Sequence, residues 1–128
     1  MQVADSTRRG IYVLGNDNVI DDVLALLHSL QQHAPDYPVV LIPYDDNHHR
    51  LSRSVRTRFG IDTLVDQKLF DELDNHARAI LGKSVVLRKF ACWFGPFDEF
   101  IYFDADILVF RDQKDVFDLL AEYDIVYT

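Results

Sequence analysis

Cysteine is nearly absent: Cys92 is the only one in 128 residues. A lone thiol excludes an intrachain disulfide and any zinc site built on several cysteines. Basic residues are also scarce. Thirteen Lys and Arg stand against 21 Asp and Glu, a formal net charge of -8. A broad nucleic-acid footprint needs the opposite balance, because Lys and Arg supply the phosphate contacts. The opening MQVADSTRRG carries no apolar run of the signal-peptide kind. No stretch approaches the roughly 20 apolar residues of a membrane span. With no such address, the cytoplasm is the expected compartment.

What remains is ordinary globular material, 48% hydrophobic and 27% charged. There is no repeat, low-complexity tract or linker. The expected organisation is an N-terminal tail (1–9) and one α/β unit (10–128). GIYVLG (10–15) and PVVLIPY (38–44) read as buried strands, branched and apolar. Between them, VIDDVLALLHSLQQH (19–33) has helical spacing, with Asp21 and Asp22 in the first turn, where the helix dipole favours them. A helix is expected over 49–59, closed by Gly60, a short strand over 61–66, and a helix over 67–81, closed by Gly82. A further helix is expected over 84–94, then a strand over 98–104, an ILVF extension, a helix over 115–123 and a last strand, DIVYT (124–128). Strands that alternate with helices and are apolar on both faces predict a Rossmann-like, mainly parallel sheet with helices on both sides.

The stretch FIYFDADILVF (100–110) places two carboxylates, Asp104 and Asp106, in the most strand-like part of the chain. Open α/β sheets bind ligands beyond the carboxyl ends of their strands. The i, i+2 spacing sends both carboxylates to one side of an extended backbone. Two like charges so close disfavour each other's ionisation unless a cation intervenes. Mg²⁺ and Mn²⁺ commonly take one or two carboxylates and complete their shell with phosphates and water. The alternative is a solvated turn that uses its aspartates for nothing more.

Residues 85–120, VVLRKFACWFGPFDEFIYFDADILVFRDQKDVFDLL, resemble the nucleotide-sugar-binding half of family 8 glycosyltransferases, the group that includes glycogenin and bacterial galactosyltransferases. Lys89-x-x-Cys92-Trp93 and Phe103-Asp104-Ala105-Asp106 carry the likeness, with a looser match from residue 10 onward. The resemblance implies a GT-A fold and retaining transfer from a nucleotide-diphosphate sugar, usually a UDP-sugar, with Mn²⁺ or Mg²⁺. It implies Asp104 and Asp106 as metal ligands, with Asp104 and Ala105 also near the donor. Gly15, Asn16, Asp17 and Asn18 would border the base, and Lys89 the phosphates or sugar. Family members carry a further half with an acceptor site and a histidine ligand. All five histidines here precede Asp106. The chain is therefore expected to be half of such an enzyme, a shortened form, or a reduced relative.

Other features have plainer readings. Arg50, Arg53 and Arg56 share a helix face with Arg58 nearby, as a solvated face or an anion site. His48 and His49 follow Asp45 and Asp46 but match no zinc spacing. Cys92 and Trp93 read as core, while Arg88 and Lys89 on an apolar helix read as snorkelling to water. Two other functions compete with glycosyl transfer. One is a non-catalytic binding or assembly module, with a second copy or partner chain covering the open sheet edge. The other is a haloacid-dehalogenase-type phosphohydrolase with Asp104 as nucleophile and Asp106 as acid/base.

Overall fold

A computed structural model of the chain describes residues 7–83 and 85–126. Four strands, β1 (Arg9–Gly15), β2 (Val39–Pro43), β3 (Asp62–Thr63) and β4 (Glu99–Phe103), form one parallel sheet in the order β3-β2-β1-β4. The helices are α1 (Ile20–His33), α2 (His49–Phe59), α3 (Gln67–Leu81) and α4 (Lys114–Asp118).

Alternation along the strands sorts the core into two layers. Ile11, Val13 and Leu41 pack with Val23, Leu26 and Leu27 of α1, Leu51 and Val55 of α2, and Phe117 of α4. On the other face, Tyr12 and Ile42 pack with Phe70 of α3 and with Ala91 and Cys92. The sheet is thus covered on both sides, as the two-faced apolar strands require.

The two helix stops lie where they are expected. Gly60 and Gly82 both adopt φ +66°, a left-handed conformation that closes a helix and suits glycine. The sequence reading fails over 84–94. Ser84 lies outside the described residues, and Arg88–Phe94 forms a 3-10 helix entered through a turn at Val85, φ +62°. A left-handed β-branched residue is costly and breaks any continuous helix there. The third strand shrinks to Asp62–Thr63, and the last helix is an α-turn continued by a 3-10 turn at Leu119–Ala121. Residues 124–126 of the expected last strand are irregular, and 127–128 lie outside the described residues. ILVF (107–110) is no strand either: only Val109 turns inward, its N–H donating to Ser29 Oγ at 3.0 Å.

Candidate functional site at the strand switch

The chain runs outward from β1 to β2 to β3, then returns over the opposite face to place β4 on the other side of β1. In doubly wound sheets the crevice at such a reversal, here between the carboxyl ends of β1 and β4, is where ligands bind. Val13 pairs with Phe103. The segments leaving them, Leu14 to Asn18 and Asp104 to Asp106, therefore emerge side by side.

On the β1 side, the loop is held by its own polar groups. Asn16, almost fully buried, accepts from the Asn18 N–H at 3.0 Å and donates to Asp45 at 3.1 Å. Asp17 accepts from the N–H groups of Leu51 (2.7 Å) and Arg50 (3.3 Å) at the start of α2, where the helix dipole favours an anion. A Cβ on Gly15 would lie 2.6 Å from Val23 Cγ2 and 3.1 Å from Leu51, so this glycine lets two helices approach the strand. Gly15, Asn16 and Asp17 thus build the rim, and Asn18 is the exposed side chain on it.

On the β4 side, Asp104 and Asp106 are both exposed, and Ala105 between them packs on the core. Tyr102 Oη donates to Asp104 Oδ1 at 2.6 Å. Burial and the adjacent carboxylate push the Tyr102 phenol well above its ordinary range, so it stays a donor. Asp106 makes no hydrogen bond or ion pair among the described residues. Beyond the turn, Ile107 N–H returns to Asp104 C=O at 3.3 Å, and Val109 is pinned to α1 through Ser29.

Lys89 is exposed on the 3-10 helix whose Ala91 and Cys92 pack on the Tyr102 side of the sheet. Its neighbour Arg88 corrects the snorkelling reading. The guanidinium is buried, 2% exposed, and donates to Asp74 at 3.1, 3.3 and 2.8 Å and to Asp46 at 3.0 Å. It also lies over the Phe70 ring at 5.0 Å. Arg88 ties α3, the β2 loop and the Lys89 segment into one unit. The partners are 14 and 42 residues away, so sequence spacing gave no sign of it.

Trp93 departs from the core reading, at 57% exposure, whereas Cys92 is buried and its thiol is pushed up to about 11 by burial. The arginines of α2 are exposed, as a solvated face would be. His48 and His49 stack at 4.5 Å. No three His, Cys, Asp or Glu side chains among the described residues are grouped to hold a metal by themselves. Asp104 and Asp106 supply two carboxylates that form no ion pair among the described residues, a donor set suited to Mg²⁺ or Mn²⁺ together with a substrate phosphate. A depression of ≈390 Å³ borders Asp17, Asn18, Asp21, Asp22 and Arg50, beside the β1 rim. A larger one, ≈490 Å³, lies by Ser52 and Asp62 at the β3 end of the sheet and shares no residue with the crevice.

The family described as "Mannosyltransferase putative" matches residues 8–124, which include both strand ends of the crevice. The chain belongs to this family. Among the solved structures similar to it in fold are two glycosyltransferases. The glycosyltransferase GlyE of Streptococcus pneumoniae TIGR4 is similar with TM-score 0.50 and 18% identity, over 88% of this chain and 27% of that one. The apo structure of the bifunctional glycosyltransferase WbbM is similar with TM-score 0.56 and 15% identity, over 92% of this chain and 22% of that one. No curated protein matches. The chain thus has a GT-A-like glycosyltransferase fold and spans about a quarter of the length of those two structures. The family 8 resemblance is borne out as glycosyltransferase and no further. The match names a mannosyltransferase family instead.

Proposed function

We propose that this family member binds a nucleotide-diphosphate sugar in the crevice between β1 and β4, as the donor-binding part of a glycosyltransferase. The observation that carries this reading is the switch point itself: two exposed carboxylates, Asp104 and Asp106, stand at the end of β4 beside the built rim that follows β1. Mn²⁺ or Mg²⁺ on these carboxylates would offset the charge that builds on the leaving diphosphate. The chain's own residues do the rest. Asn16 and Asp17 fix the rim, and Asn18 and the rim backbone face the base. Lys89 offers positive charge to the phosphates, and Ala105 is small enough for the donor to approach the main chain.

The family 8 resemblance favours a UDP-sugar, and the family's name adds a mannosyl donor. The test is calorimetric titration of UDP-glucose, UDP-galactose and GDP-mannose with Mn²⁺, repeated with EDTA and with Asp106→Ala. Metal-dependent binding of one donor, lost in the variant, is the expected result. A folded chain that binds none of them contradicts the reading. Glycosyltransferase relatives by sequence and fold also weigh against the phosphohydrolase alternative.

One observation favours a covering polypeptide as well. Phe90, Trp93 and Phe94 on the 3-10 helix are all exposed within five residues of one another. Such surface usually marks an interface. Further protein from the same enzyme, a partner chain or a second copy would cover it. Sedimentation tests the last of these: a monomer at every accessible concentration excludes self-association.

A further inference from the structure

We infer that Tyr102 is a positioning residue that presets the Asp104 carboxylate for a divalent cation, an inference that rests on Asp104 and Asp106 as the metal ligands. Tyr102 and Asp104 lie two residues apart, on the side of β4 that faces the Tyr12, Ile42, Phe70 and Cys92 layer. The Tyr102 ring packs against that layer, so its hydroxyl is carried on a rigid stem to the end of the strand. There it donates to Asp104 Oδ1 at 2.6 Å. That distance lies in the short range of hydrogen bonds to ionised acceptors, which are stronger and more directional than neutral ones.

The bond has a geometric consequence. The torsion that turns a carboxylate about its own axis is broad and poorly restrained in an exposed aspartate. Anchoring Oδ1 removes that freedom before any cation arrives and leaves Oδ2 turned away from the phenol as the open ligand atom. Asp106 has no such anchor among the described residues. The pair is therefore asymmetric, with one carboxylate preset and one free to adjust around the cation. Hydrogen bonds of this outer kind typically contribute about 10-fold or more to metal affinity.

Tyr102→Phe removes the hydroxyl and keeps the ring in its layer. Mn²⁺ binding is read from the loss of the free-ion electron paramagnetic resonance signal, in the presence of UDP, and folding from the thermal midpoint. The expected result is Mn²⁺ affinity lowered about 10-fold with the midpoint little changed. Phe100→Leu, in the same layer, is the packing control and should lower the midpoint while leaving Mn²⁺ affinity alone. Unchanged affinity in Tyr102→Phe, or an equal loss in Phe100→Leu, overturns the positioning role while the metal site stands. Failure of the wild-type chain to bind Mn²⁺ overturns both, and so is told apart from failure of the inference alone.

Discussion

Removing the carboxylate of Asp74 leaves the Arg88 guanidinium in the interior with one remaining anion. Arg88 is 2% and Asp74 9% exposed at the side chain, and Asp74 supplies three of the contacts around the guanidinium. Breaking a buried pair by deleting one partner costs about 3–5 kcal/mol, because a desolvated charge is left behind. Asp46 still reaches Nη2 at 3.0 Å, but it is 81% exposed and its attraction is screened by water. Asp74→Ala should therefore fall at the lower end, about 3 kcal/mol. Against the roughly 5–15 kcal/mol that holds a typical domain, this is a large fraction. At this chain length it corresponds to a melting point lower by about 10 °C. Urea denaturation followed by circular dichroism measures it. Asp46→Ala should cost no more than about 1 kcal/mol, since that carboxylate stays mostly in water. Asp74→Ala combined with Arg88→Met should recover part of the loss, because a methionine among Phe70 and its neighbours leaves no buried charge. A loss below about 1 kcal/mol in Asp74→Ala would refute the claim that this pair is a desolvated structural bond.

Three further outcomes follow from the same structure. Ser29→Ala leaves the Val109 N–H without its buried acceptor and should cost about 1–3 kcal/mol in the same denaturation assay. Native Cys92 should react with iodoacetamide at pH 8 about 100-fold more slowly than an unfolded thiol, because its pKa is raised to about 11 and burial adds a barrier; unfolding in urea should restore the rate. The pKa of His48 is lowered, first by burial and then by His49, while Asp17 and Asp46 act in the opposite sense. The unfolded chain therefore takes up this proton first as pH falls, so stability should drop from about pH 6.5 downward, and His48→Gln should flatten that part of the curve.

The helices α2 and α3 were legible to the residue because apolar periodicity and a left-handed glycine stop define each locally. The parallel sheet was legible from strands that are apolar on both faces. Residues 84–94 were not, because their apolar run suits a helix while Val85 and the tether of Arg88 to Asp74 and Asp46 force a tighter path. Such partners are brought together only by the completed sheet. At the site, the two aspartates stood out as carboxylates in a hydrophobic strand, but Tyr102 looked like any other core aromatic. The roles of Asn16 and Asp17 as loop builders were equally hidden, since their partners lie on the β2 loop and α2.

The most direct measurement is paramagnetic line broadening by Mn²⁺ in the amide spectrum of the isotopically labelled chain, with UDP present. Broadening centred on residues 104–106, reaching 14–18 and disappearing in Asp106→Ala, is the result the account predicts. Broadening centred on His48 and His49 instead, or none in a folded chain, would contradict a donor site at the ends of β1 and β4.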